Sequence, residues 1–375
     1  MSNNPLHSQG PTFTPGHRKP DIASEARLIE IRREAESKGR VSAPGVRVPG
    51  APFPMASPET GYYGIPLLKQ PQWKWEVPVY FFVGGAAGSA AVIGAVANLT
   101  GADAKIAREA RYIAAGGAAL SSALLISDLG RPERFLAMLR VFKKQSPMSV
   151  GAWILAAFGT VSGAAAFAQF ANDKLDLRPV RILGNIAETM SAAFGLPFSN
   201  YTGVLIGSTV IPVWNHNIAT LPLHFGMSGL NSAVSILELL GNEDSRALNL
   251  LGIGACSMET YEGYHLELRR DPRVNEPLKH GANGWITRLG GVLSGPLPLV
   301  LRLIAGSSGS SRSRKLRRTA AWSSITGSML TRIGWVRAGH ASARDWRLPL
   351  GLPEQKREAP LQSKEEFPRM RATGD

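Results

Sequence analysis

The sequence is poor in cysteine and in charge. It contains a single cysteine among 375 residues, and only 19% of its residues are Asp, Glu, Lys or Arg. The lone Cys256 excludes an internal disulfide framework and any CxxC metal or iron–sulfur motif, so we interpret it as a packing residue. The N-terminal segment MSNNPLHSQGPTFTPGHRKP also lacks the apolar core of a secretory signal peptide, which predicts that it is retained.

The charge that is present lies at both ends of the chain and in short segments between uncharged runs. No Asp, Glu, Lys or Arg occurs in the four runs 78–98, 112–127, 147–171 and 217–237. Apolar runs of about 20 residues are typical of transmembrane helices. The sequence therefore predicts an all-α, polytopic integral membrane helix bundle. Its spans, about eight in number, are expected at 78–99, 107–127, 148–171, 182–207, 218–240, 247–267, 284–305 and 319–341.

The chain divides into three parts by composition. Residues 1–72 are rich in Pro, Gly, Ser and charge and predict a partly disordered extra-membrane arm with one candidate helix at 22–38. Residues 73–345 form the predicted membrane domain, in which 207–217 is expected to be a surface loop, and 346–375 form a charged tail. The net charge of +14 suits anionic lipid or an acidic partner face and does not indicate a nucleic acid.

Two short segments combine charge with the ends of predicted spans. Trp73 and Trp75 flank the first span, where indoles commonly anchor helices at the membrane surface. Glu76 follows them, and a carboxylate at the edge of the acyl region is costly unless it is solvated or paired, so it is a candidate proton acceptor. At the end of the second span, Asp128 is expected to pair with Arg131 or Arg134.

Three long motifs carry a family resemblance. WKWEVPVYFFVGGAAGSA, SDLGRPERFLAMLRVFKKQSPMSVGAW, and SNYTGVLIGSTVIPVWN followed by LPLHFGMSGLNSA resemble the NrfD-like family, in their order and spacing, over about residues 73–240. That family supplies membrane subunits of polysulfide reductase, nitrite reductase and related complexes. The resemblance implies an eight-helix subunit of a bacterial inner membrane that carries neither haem nor an iron–sulfur cluster.

The resemblance also implies quinone chemistry. Such a subunit binds menaquinone or ubiquinone and passes electrons between it and an iron–sulfur partner subunit, which is attached to a molybdopterin or other catalytic subunit. Carried over by motif, the expected quinone site comprises Trp75, Glu76, Asp128, Arg131 and Tyr201. Its chemistry is consistent with these residue types, because quinone reduction takes up two protons and needs hydrogen-bond donors beside an apolar slot.

A second set of ionisable residues indicates a proton path. Glu259, Glu262 and His265 stand three apart in the sixth span, and His224 in the fifth span is expected to join them. An alternative interpretation places the end of this stripe at the membrane surface. In either case the sequence identifies no catalytic residue and no metal ligand.

Three other functions remain open from the residues alone. A secondary transporter is suggested by breaks such as Gly195 and Pro197, although the two halves show no sequence repeat. A b-type cytochrome anchor needs paired histidines on facing helices, for which only His224 and His265 are credible. A purely structural anchor would use the basic arm and loops without any quinone chemistry.

Overall fold

The computed structural model describes residue 33 and residues 67–129, 132–268, 271–306, 310–345 and 348–349. By its internal contacts the chain falls into two units, residues 1–67 and 68–375, and the second contains every feature described below. Apart from residue 33, the predicted helix at 22–38 lies outside the described residues. The same holds for most of the predicted tail, beyond residue 349.

The described residues form helices and contain no strand. Their nine helices of ten residues or more are α1 (Glu76–Thr100), α2 (Ala104–Asp128), α3 (Pro147–Leu175), α4 (Arg178–Gly207), α5 (Leu221–Leu237), α6 (Arg246–Leu268), α7 (Gly281–Ser294), α8 (Pro296–Ala305) and α9 (Ser311–Arg344). Shorter helical segments, which are Pro132–Arg134, Phe135–Met138, Pro212–Asn215, Glu238–Asn242 and Glu276–Lys279, lie between them.

Each predicted span coincides with a helical segment. The seventh corresponds to α7 and α8 together, which are separated only by a break at Gly295. Four segments, namely α1, α2, α3 and the joined α7–α8, are long and apolar enough to cross a membrane by length and composition. The prediction of an all-α membrane helix bundle is confirmed, and that each remaining helix crosses stays a prediction.

With α7 and α8 counted as one segment, successive helices run in opposite directions between the two ends of the bundle. We call the end at which α1 begins the near face, and the end at which α2 begins the far face. At the near face, His340 near the end of α9 hydrogen-bonds through Nε2 to the carbonyl oxygen of Trp73 over 3.0 Å. At the far face, Lys105 Nζ at the start of α2 donates to the carbonyl oxygen of Gly241, 3.2 Å away, beyond α5.

Helix α1 lies at the centre of the bundle, in contact with α2, α4, α5 and α9. Small residues let these helices approach closely. A side chain at Gly88 would meet the backbone of α4 at Gly195 and Ser199, so only glycine fits there. The close packing of these helices fixes the positions of the acidic residues at the start of α1 and at the end of α2.

The prediction of a surface loop at 207–217 is only partly right: the segment connects α4 to α5 and exposes residues 208, 210, 215 and 216, but the rest of it is wholly or partly buried. A short helix, Pro212–Asn215, turns inward at the near face, and Trp214 is fully buried. Its indole stacks on Trp73 with ring centroids 4.8 Å apart, and its Nε1 donates to the carbonyl oxygen of Trp335 over 2.8 Å. A large apolar ring with one satisfied donor is stable in the interior, although three polar residues follow it in the sequence.

Candidate functional site

The start of α1 presents two predicted site residues in different environments. Trp75 precedes the helix and its side chain is 66% exposed, as an interfacial anchor would be. Glu76 is half-buried at the first helical position. Its Oε2 is buried and has no hydrogen-bond partner among the described residues. An unsatisfied carboxylate oxygen in an apolar environment is costly, which marks it as a binding position.

The end of α2 brings a second carboxylate to the same place. Asp128 is half-buried, and its charge interacts with those of Glu76 and Lys74. The structure therefore brings together two acids that are far apart in the sequence. Arg131, the fourth member of the predicted site, lies outside the described residues.

Tyr201 lies deeper, between α3 and α4. Its side chain is 6% exposed, its ring packs against Gly151, and its hydroxyl donates a hydrogen bond to the carbonyl oxygen of Pro147. Its hydroxyl lies near that of the buried Tyr80, which follows Glu76 by one helical turn on α1. In this arrangement the phenol ties α4 to the start of α3.

The predicted proton-path residues separate into two environments. His224 Nδ1 lies 3.2 Å from Glu262 Oε2, and both side chains line a cavity of about 50 Å³ together with Glu259. A cavity of this size has room for a few water molecules. His265 is outside that lining and instead packs on Tyr261 at the helix surface, with ring centroids 4.3 Å apart.

Glu259 occupies the middle of the bundle. Its side chain is 4% exposed, its Oε1 accepts a hydrogen bond from Asn231 Nδ2 over 3.2 Å, and Ser294 lies beside it. Asn231 also donates to the carbonyl oxygen of Ser294 over 2.9 Å. Cys256, the predicted packing residue, is buried next to this group, with Sγ 3.5 Å from Asn231 Oδ1.

Buried arginines continue this polar interior, and the sequence analysis missed them. Arg332 on α9 donates through Nη1 to Ser228 Oγ over 2.7 Å and interacts electrostatically with Glu259. Towards the far face, Arg302 Nη1 lies 2.6 Å from Glu238 Oε1, and both side chains are 0% exposed. Arg317 then reaches the far face, donating to the carbonyl oxygen of Gly306 over 2.5 Å.

These contacts make a nearly continuous series of buried polar groups through α5, α6, α8 and α9. It begins at His224 near the near face and ends at Arg317 at the far face. A signal for its charged members was present in the sequence, since Arg302 stands alone in the apolar run PLPLVLRLIA. An isolated charge in such a run indicates a buried partner.

No metal centre is visible in the part of the chain that the structure describes. There, no group of three or more His, Cys, Asp or Glu side chains is arranged to hold an ion. The predicted absence of haem from this chain stays a prediction.

Comparison with known proteins agrees with the fold. A family model of the NrfD type, described as polysulfide reductase, matches residues 59–257, which is just over half of the chain. No curated protein matches. The matched region includes the near-face acids and α1 to α5, and it ends within α6 close to Glu259.

Proposed function

The chain belongs to the NrfD-like polysulfide reductase family, whose members are membrane subunits of redox complexes, and we propose that it is the quinone-reactive subunit of such a complex. In this proposal electrons pass between a menaquinone or ubiquinone and an iron–sulfur partner subunit, and a molybdopterin or similar subunit carries the primary catalytic centre. The expected location is a bacterial inner membrane. Following the family resemblance, we assign the one-electron centre to the partner.

The observation that carries the proposal is the pair of acids at the near face. Glu76 has a buried oxygen without a partner among the described residues, and Asp128 is near enough to interact with it while remaining half-exposed. A bound quinone supplies two-electron redox chemistry that is coupled to the uptake or release of two protons. The arrangement suits that chemistry, because Glu76 offers an inner hydrogen-bonding position and Asp128 offers a route to water.

The remaining predicted site residues have supporting roles in this proposal. Trp75 marks the membrane surface beside the site, and Arg131 stays assigned to it on the family resemblance alone. The hydroxyl of Tyr201 already donates a hydrogen bond to the carbonyl oxygen of Pro147, so we assign Tyr201 to holding α3 in place behind the acids. Glu76 and Asp128 are therefore the residues that we expect to exchange protons.

We extend the proposal to proton translocation through the buried polar series. His224, Glu262 and Glu259 meet around one small cavity beneath the near face, and Arg332 and Arg302 continue the series inward. A histidine, two acids and space for water molecules are the components of a proton relay. His265 packs among tyrosines outside the cavity, and we place it at the surface end of the path.

The proposal is tested on the complex purified through a tag on this chain. Glu76→Gln and Asp128→Asn remove the acids, and Glu133→Gln is the matched control, because Glu133 is an exposed acid of the adjoining loop. The readout is the bleaching of the partner's iron–sulfur absorbance after rapid mixing with a naphthoquinol or benzoquinol analogue. Loss of a positioned proton-transfer group is expected to slow that bleaching about a hundredfold or more, while the control keeps the parent rate.

Assembly separates this function from its alternatives. If both variants bind the partner normally and keep the parent rate, the acids take no part in the reaction with quinol, and a structural anchor becomes the better interpretation of this chain. If the purified chain carries no partner and no extractable quinone, a transporter becomes the better interpretation.

A further inference from the structure

A second cavity, of about 470 Å³, opens at the far face, away from the acids and the polar series. It lies where α1 and α3 end and where α2 and α4 begin, so its walls are the last and first turns of four helices. Helix ends of this kind lie at the depth of lipid headgroups when a bundle spans a membrane. The cavity is far too large for one or two waters.

The lining of this cavity is basic. Four basic side chains line it against a single acid, Asp173; they are Lys105, Arg108, Arg111 and Arg181. Arg108 is paired with Asp173 over 2.7 Å, and Lys105 makes a longer contact with Glu109 at 3.8 Å. The side chain of Arg181 is exposed and makes no hydrogen bond or ion pair within the described part of the chain, although its backbone N–H bonds to the carbonyl oxygen of Leu177.

A buried ion pair forms the floor. Arg111 Nη2 lies 2.6 Å from Glu188 Oε2, with side chains that are only 9% and 2% exposed. Arg111 Nη2 also donates to Asn185 Oδ1 over 2.9 Å. Arg111 also donates through Nη1 to Gln169 Oε1, and its Nε is buried without a partner among the described residues, so the guanidinium is held rigidly beneath the cavity.

The N-terminus of α4 adds to the positive potential. Leu177, the residue before this 30-residue helix, provides no side-chain cap, although Asp103 caps α2 next to it by accepting from Lys105 N and Ile106 N. Val180 in the first turn of α4 lines the cavity. An uncapped helix N-terminus carries partial positive charge and free N–H groups, which favour a phosphate-type anion.

Apolar side chains continue outward from the same turns. On α4, Ile182, Leu183 and Ile186 follow Arg181 directly and are all exposed. On α3, Phe167 and Phe170 are exposed beside the lining residues Ala168 and Gln169. A polar, basic cavity that is flanked by exposed aliphatic and aromatic side chains fits a molecule with an anionic head and acyl chains.

We propose that the far-face cavity binds the phosphate group of an anionic phospholipid, whose acyl chains lie along the exposed faces of α3 and α4. Arg181 and the first turn of α4 contact the phosphate, and Arg111 supports them from the floor. This proposal concerns the far face and does not depend on the assignment of quinone chemistry at the near face.

The test measures lipid binding to the purified full-length chain in detergent by native mass spectrometry. The probes are phosphatidylglycerol, phosphatidylcholine with identical chains, and inorganic phosphate. Arg181→Gln is the test variant, and Arg314→Gln is its matched control. Both arginines are exposed, both lie in the fourth position of a far-face helix, and Arg314 does not line the cavity.

The parent chain and Arg314→Gln are expected to retain phosphatidylglycerol in preference to phosphatidylcholine. Arg181→Gln is expected to weaken the retention of phosphatidylglycerol about fivefold, the effect of one basic residue on an anionic lipid surface, and to leave phosphatidylcholine unchanged. Because Arg181 is exposed, this substitution should leave the fold intact, which a monodisperse size-exclusion profile checks.

Two outcomes would overturn the proposal. Equal retention of both lipids by all three proteins would show that the cavity does not select a phospholipid by charge. Binding of inorganic phosphate that Arg181→Gln abolishes, without selective retention of phosphatidylglycerol, would identify a site for a free anion rather than for a lipid.

Discussion

The buried pair of Arg302 and Glu238 allows a quantitative prediction about stability. The perturbation is a double-mutant cycle of Arg302→Met, Glu238→Leu and the two combined. Either single change leaves one charge in an interior where both side chains are 0% exposed. Breaking a buried pair from one side costs about 3–5 kcal/mol, because the remaining charge is neither solvated nor compensated.

The combined variant should behave differently from the sum of its parts. In the described structure a single hydrogen bond joins the guanidinium group to the carboxylate. It runs from Arg302 Nη1 to Glu238 Oε1 over 2.6 Å. A pair joined by a single hydrogen bond recovers only part of its desolvation cost, so replacement of both members by apolar side chains is expected to be nearly neutral. The expected coupling energy is therefore about 6 kcal/mol or more, the sum of the two single costs.

The chain contains its own probe for this measurement. Cys256 is its only cysteine and is fully buried, so a thiol-reactive fluorophore reports unfolding from one position. For a protein of this size, each kcal/mol lost from the free energy of unfolding lowers Tm by about 2 °C. Each single variant should therefore unfold roughly 6 to 10 °C below the parent. A combined variant that falls by the sum of the two single shifts would refute the reasoning, because the two charges would then be independent.

Two further predictions concern the proton path and the packing of α1. In liposomes that contain the complex and an internal pH dye, Glu259→Gln is expected to abolish quinol-driven proton movement while electron flow persists. The control is Glu267→Gln, because Glu267 is an exposed acid of the same helix. Proton movement at the parent rate in Glu259→Gln would contradict the path. Gly88→Ala is expected to lower the free energy of unfolding by about 1–3 kcal/mol, because its Cβ would meet the backbone of Gly195. Gly116→Ala, where a Cβ meets no atom within 4 Å, should be neutral or slightly stabilising, and equal thermal shifts in the two variants would refute the packing argument.

The helices were predictable because the uncharged runs are long and the membrane requires them to be helical. Runs such as 147–171 lie within single helices, here α3, to within a few residues. The segment 207–217 was not predictable in the same way. Its polar residues and Pro212 are typical of a loop, and only the tertiary contacts of Trp214 show why it is buried.

The two near-face acids of the candidate site could be predicted from the sequence. Glu76 and Asp128 come from separate motifs, and their proximity follows from the antiparallel packing of α1 and α2. The spacing of the acids and the histidine in α6 does not place all three on one face. Residues three apart on a helix are rotated by about 60° less than a full turn, so two such steps move His265 away from Glu259. Arg302 and Glu238 are separated by 64 residues, so only the fold reveals their pairing.

The burial of Trp214 has a consequence for biogenesis. Its ring is covered by Trp73 before α1 and by the C-terminal part of α9, where Trp335 accepts its hydrogen bond. Chains are made from the N-terminus, so α9 is among the last helices to enter the membrane. Until it does, Trp73 also lacks its contact with His340, and the wall beside Glu76 is incomplete. A ribosome-bound or truncated intermediate that lacks α9 therefore has no finished near face.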